Sequence, residues 1–135
     1  MEGIKKINHV AIVVRDIEES IKVWEGAFGL KLDHVEDVPS QKAKVAFFPV
    51  GDSEVELVMP TDPESGMGKY LESKGEGMHH LCLEVEDIEA TMAQMKEKGV
   101  RLINEAPQVL PGRKMAFIHP KSANGVLVEL YELTD

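Results

Sequence analysis

Apolar and polar positions alternate, or apolar residues run on for a strand's length, at eight places along the chain, and two longer stretches change to helical spacing. Residues 7–14 form the first apolar, β-branched run. The two-residue period of a strand puts His9, Ala11 and Val13 on one face of it. Asp16 then predicts an N-cap, with Glu19 three residues later as its capping-box partner. Ile17, Ile21, Trp24 and Phe28 follow at helical spacing, so the first helix is expected to bury Trp24 and Phe28 in the core, and Gly29 ends it. Residues 31–38 alternate weakly and predict an edge strand, which Pro39-Ser40 breaks. Residues 42–50 and 54–59 predict a hairpin across Gly51-Asp52-Ser53.

Residues 60–77 read as a linker, with two prolines, four glycines and many charges. Met67, Tyr70 and Leu71 predict a short helix inside it. The plan then starts again. Residues 79–85 predict a strand, Asp87 caps a helix carrying Ile88, Met92 and Met95, and Gly99 ends that helix. Residues 100–104 predict the next strand, and residues 106–112 a covering loop with two prolines and a glycine. Residues 114–119 and 126–133 close the pattern as a hairpin around Ser122-Ala-Asn-Gly125.

The second half is a copy of the first. When His80 is laid on His9, Asp87-Ile88-Glu89 falls on Asp16-Ile17-Glu18, each aspartate seven residues after its histidine. Ala46-Phe47 is followed nine residues after the phenylalanine by Glu56, and Ala116-Phe117 twelve residues after its phenylalanine by Glu129. A single repeat of about 70 residues is too long for a solenoid and signals a duplicated half-domain. The expected fold is α+β: two βαβββ modules forming one curved eight-stranded mixed sheet with the helices on its outer face. The whole chain, 1–135, is expected to be one domain, with repeat halves at about 4–60 and 76–135 and a linker at 60–77.

Composition narrows the partners. Apolar residues make up 43% and charged residues 29%, which suits a globular core. The net charge of −9 and the lack of a long basic run argue against nucleic acid and anionic membrane surfaces. No apolar run approaches the roughly 18 residues of a membrane span, and the first strand starts close to Met1, so neither a membrane segment nor a signal peptide is expected. One cysteine, Cys82, allows no internal disulfide and fits a reducing compartment, so a cytoplasmic location is expected. No glycine-rich phosphate loop, dinucleotide fingerprint or nucleophile elbow occurs.

His9, Glu56, His80 and Glu129 are the candidate metal ligands. Imidazole nitrogen and carboxylate oxygen suit a borderline divalent ion, and the lack of a thiolate partner argues against structural zinc. A lone strand histidine or glutamate is ordinarily a core or surface residue. Folding alone, however, does not require the same two residue types at matching positions in both halves. His34 and His119 have no repeat partner, and His79 points away from the face of His80. Cys82 shares that face, where a small buried thiol is the simplest reading.

Three segments carry a resemblance: Ile7-Asn-His-Val-Ala11, Gly75-Glu-Gly-Met-His-His80 and Phe117-Ile-His-Pro-Lys-Ser-Ala-Asn-Gly-Val-Leu-Val-Glu-Leu130. Together they resemble the vicinal-oxygen-chelate superfamily of glyoxalase I, extradiol dioxygenases, antibiotic-resistance proteins and methylmalonyl-CoA epimerases. The His119-Pro-Lys-Ser122 turn is most similar to that of the epimerases. By position, the resemblance implies His9, Glu56, His80 and Glu129 as metal ligands and Glu129 as a catalytic base. It implies one divalent metal per chain (cobalt favoured; nickel, manganese or zinc accepted), an acyl-CoA substrate and a homodimer. The implied reaction is epimerisation of (2R)- and (2S)-methylmalonyl-CoA by loss and return of the C2 proton through a metal-stabilised enolate. Two departures stand out. Some epimerases carry glutamine where Glu56 stands, and some draw a second catalytic glutamate from the strand after the first helix, where residues 41–45 hold no acid. Two other readings are a glyoxalase I-type lyase acting on a glutathione hemithioacetal and a non-catalytic small-molecule-binding protein. Glu56 favours the lyase and the His119-Pro-Lys-Ser122 turn opposes it; the full set of four ligands opposes the binding protein.

Overall fold

A computed structural model describes residues 3–134. Strand β1 (Ile4–Val13) leads to helix α1 (Ile17–Ile21), which continues as a π-helical stretch, Lys22–Ala27. Strand β2 (His34–Val38) and a 3-10 turn (Pro39–Gln41) precede the hairpin of β3 (Ala43–Val50) and β4 (Ser53–Pro60). Helix α2 (Gly66–Lys74) lies in the linker. The second half comprises β5 (Gly77–Val85), α3 (Ile88–Glu97), β6 (Gln108–Leu110), β7 (Arg113–Ile118), a 3-10 turn (Pro120–Ser122) and β8 (Val128–Leu133). The strands form one eight-stranded sheet in the order β2-β3-β4-β1-β5-β8-β7-β6. It is mixed, because β5 and β8 run parallel while the β3–β4 and β7–β8 pairs are antiparallel. No helix among the described residues is long and apolar enough to cross a membrane.

The contacts cluster into two compact units. One holds the described residues up to His9 together with those from His80 onward, and the other holds Val10–His79. In the second, Asp16 caps α1 by accepting a hydrogen bond from the Glu19 amide at 3.1 Å, while the Glu19 carboxylate reaches Lys22. Ile17 packs with Val14, Ala46, Phe48 and Leu57. In the first unit Asp87 caps α3 through the Ala90 amide at 3.0 Å. Ile88, Met92 and Met95 of that helix pack on Ala116, Ile118, Val128 and Leu130. The repeat therefore reaches the level of register: Phe47 pairs with Glu56 as Phe117 pairs with Glu129.

Three expectations are corrected. Phe28 does not enter the core; it is 61% exposed, edge-on to Trp24. The cause is the π-helical stretch, in which the Phe28 amide bonds five residues back to the Val23 carbonyl at 2.9 Å. Each π-helical residue turns about 18° less than an α-helical one, so six of them rotate Phe28 roughly 110° off the Ile17 face. Residues 100–104 form no strand but a single bridge, Leu102 to Ile118. The ladder stops because the Asn104 side chain takes the Phe117 amide at 2.7 Å. The missing strand is supplied by β6, which lies within the predicted covering loop and pairs with β7.

The π-helical phase has a measurable consequence. Phe48→Ala, in a fully buried site, is expected to cost about 3–5 kcal/mol in urea unfolding, against about 1 kcal/mol or less for Phe28→Ala. Equal losses would place Phe28 in the core.

Candidate metal centre

Strand alternation turns His9 inward from β1, where it shares the buried face with Ala11 and Val13. His80 is buried on β5 by the same rule, and β8 runs parallel beside β5 with Glu129 opposite Cys82. Their exposures are 3%, 8% and 4%, so all three polar side chains are withdrawn from water. They meet at their tips. His9 Nε2 lies 3.2 Å from His80 Nε2, His80 Nε2 lies 3.1 Å from Glu129 Oε1, and His9 Nε2 lies 3.3 Å from the same oxygen.

Aromatic rings hold the imidazoles. Tyr131 stands edge-on to His9 with centroids 5.7 Å apart, and Phe117 edge-on to His80 at 5.8 Å. Burial by itself would raise the Glu129 carboxyl. Hydrogen bonding with His80 and His9, and then their charge, more than offset that and bring it down to about 2. Glu129 is therefore ionised throughout the neutral range.

Whether a divalent ion suits this triangle can be judged from the donor spacing. With bonds of about 2.1 Å, two ligands stand ~3.0 Å apart at right angles and ~3.4 Å apart in a tetrahedron. The observed separations of 3.1–3.3 Å fall between these limits. Two imidazole nitrogens and a carboxylate oxygen are also a donor set that such ions favour. The residues fit a divalent metal.

The fourth candidate, Glu56, is carried by the other compact unit, on β4 opposite Phe47, and is partly buried there. Cys82, taken from the sequence as a small buried thiol, is 0% exposed. Its sulfur lies with donor atoms of His9 and Glu129 in a group spanning no more than 4.8 Å. The signal for it was present in the sequence, since Cys82 follows His80 by one strand period. Tyr131 stands in the same relation to Glu129. The remaining histidines lie elsewhere. His34 is exposed and stacks on Phe47, and His79 stands edge-on to Tyr70. His119 accepts a hydrogen bond from the Lys121 amide at the start of the 3-10 turn. Desolvation, then the charges of Arg101 and Lys121, hold its pKa below the usual histidine value.

Residues 8–117 match the model of the Glyoxalase/Bleomycin resistance protein/Dioxygenase superfamily. An ethylmalonyl-CoA/methylmalonyl-CoA epimerase of Cereibacter sphaeroides is 35% identical over 96% of this chain and 99% of its own length. A hypothetical protein from Bacillus halodurans superposes with a TM-score of 0.91 at 40% identity, covering 96% of this chain and 95% of its own. A variant Streptomyces coelicolor methylmalonyl-CoA epimerase in complex with 2-nitronate-propionyl-CoA superposes with a TM-score of 0.86 at 29% identity, covering 98% and 99%. With the family model spanning most of the chain and the matches running nearly end to end, the protein belongs to the Glyoxalase/Bleomycin resistance protein/Dioxygenase superfamily.

Proposed function

We propose that the protein is an isomerase that interconverts the C2 epimers of methylmalonyl-CoA, with His9, His80 and Glu129 as ligands of one divalent metal. The observation that carries this reading is the convergence of His9, His80 and Glu129 in a chain whose full-length relatives include methylmalonyl-CoA epimerases. Cobalt is the ion favoured by the family resemblance, and nickel, manganese or zinc would accept the same donors. When bound, such an ion supplies Lewis-acid stabilisation of negative charge on a substrate oxygen.

The chemical difficulty is the C2 proton, which is flanked by a thioester and a carboxylate. As its C–H bond breaks, the electron pair passes to the thioester oxygen as an enolate, and a protein group takes the proton. Return of a proton to the other face of C2 completes the inversion. The relative's ligand supports this course, since a nitronate is a planar anion with the charge pattern of an enolate. In our reading Glu129 serves as ligand through Oε1 and carries the proton on its carboxylate. Its low pKa favours the ligand role, so the proton-transfer role is the one for kinetics to separate. The same reading makes the protein a cytoplasmic homodimer, an assembly state that sedimentation would measure.

Three measurements test the reading. His80→Ala is expected to leave the protein folded but without bound divalent metal; metal content equal to the parent's in elemental analysis would remove His80 from the ligand set. Incubation with methylmalonyl-CoA in deuterium oxide is expected to load deuterium at C2 at a catalytic rate, followed by NMR. If C2 stays unlabelled while the methylglyoxal–glutathione adduct turns over, the protein is the lyase that the carboxylate of Glu56 would favour. Glu129→Gln is expected to bind substrate, keep some metal and lose roughly 10²–10⁴-fold in exchange rate. The same change at Glu56 should matter less. Parental exchange in metal-replete Glu129→Gln would show that the base is another group.

A further inference from the structure

The buried carboxylate of Glu84 takes no part in the proposed chemistry, yet it is only 4% exposed and lies on β5 four residues beyond His80. Its Oε2 is 3.5 Å from the ammonium of Lys5, and its Oε1 accepts a hydrogen bond from Asn8 Nδ2 at 2.8 Å. Asn8 Oδ1 lies 2.7 Å from His9 Nδ1. The polarity of this chain is decided at its far end. A carboxylate can only accept, so the Asn8 amide nitrogen must face Glu84 and its oxygen must face His9. An amide oxygen also only accepts, so His9 Nδ1 must donate. The Nε2 lone pair of His9 is then directed toward His80 Nε2 and Glu129 Oε1.

We infer that Lys5, Glu84 and Asn8 form a positioning relay that keeps the proton of His9 on Nδ1 and so presents Nε2 as a metal donor. Without it, the local preference would be the reverse. Glu129 Oε1, 3.3 Å from His9 Nε2, is itself an acceptor and would draw the single proton of a neutral imidazole onto Nε2, which blocks ligation. Outer hydrogen bonds of this kind fix the ring nitrogen that binds and raise its basicity, and losing them typically weakens metal affinity 10–100-fold. Asn8 meets His9 at Nδ1, not at the Nε2 that faces His80 and Glu129, so its effect on that nitrogen passes through the His9 ring. The metal part of this inference rests on the proposed metal centre; the proton's position on His9 does not.

The test reads both. Nitrogen-15 NMR of the metal-free protein at pH about 8.5, well above the ordinary histidine value, reports which nitrogen of His9 is protonated. Zinc titration followed by calorimetry gives the affinity of the loaded form. The parent is expected to carry the proton on Nδ1. Asn8→Ala should lose it from Nδ1 and bind zinc 10–100-fold more weakly. Glu84→Gln preserves packing but can donate, which lets the Asn8 amide turn over; it should shift His9 in the same direction and covers the case in which Asn8→Ala fails to fold. The double variant Asn8→Asp with Glu84→Gln rebuilds the same direction of donation with the charge moved one residue along, and should restore both readouts. A simple structural role would lower the melting temperature of the variants without moving the proton. An unprotonated Nδ1 in the parent, or parental zinc affinity in a folded Asn8→Ala or Glu84→Gln, overturns the inference. Should the parent bind no zinc while the NMR behaves as expected, the metal centre is what fails, and the relay stands as a device for His9 alone.

Discussion

Two imidazoles and a carboxylate brought within 3.3 Å of one another, nearly out of water, form an arrangement that a folded chain does not hold without compensation. Two lone pairs and an anionic oxygen repel unless a proton or a cation lies among them. Much of this unit of the molecule can be understood as meeting that requirement. His80 Nε2, 3.1 Å from Glu129 Oε1, is placed to donate to that oxygen. Tyr131 and Phe117 stand edge-on to the imidazoles and limit their rotation. Asn8 and Glu84 settle the orientation of the His9 ring from behind.

The supporting structure is conventional by comparison, and that is what allows the site to be polar. Helix α3 buries Ile88, Met92 and Met95 against Ala116, Ile118, Val128 and Leu130, so the side chains behind β7 and β8 form a dry, close-packed layer. Glu129 lies between Val128 and Leu130 on β8, and the strand period sends it to the opposite face from that layer. A site built on strands held in this way keeps its donor atoms in register more firmly than one built on loops.

Much of this was legible beforehand because the duplication supplies an internal control. An inward histidine, an aspartate cap seven residues on, and a glutamate opposite a phenylalanine recur in both halves, and the structure repeats them down to the pairings of Phe47 with Glu56 and Phe117 with Glu129. Where a signal was single, reading from the chain was weaker. Residues 100–104 have a strand's pattern, but Asn104 spends its side chain on the Phe117 amide, and a three-residue segment after Pro107 takes the edge of the sheet. Likewise Phe28 has the spacing of a core residue in an α-helix, and only the π-helical hydrogen bonds move it outward.

Local periodicity by itself determined the faces on which His9, His80 and Glu129 lie, the caps at Asp16 and Asp87 and the order of the elements. These depend on backbone geometry within a few residues. The tertiary structure decided how closely the donor atoms approach, that the Cys82 sulfur lies beside them, and that Asn8 turns its amide toward Glu84, 76 residues away in the chain. Those outcomes depend on register between strands far apart in sequence. A shift of one residue there would reverse every face, and nothing in the local pattern records the distance that results.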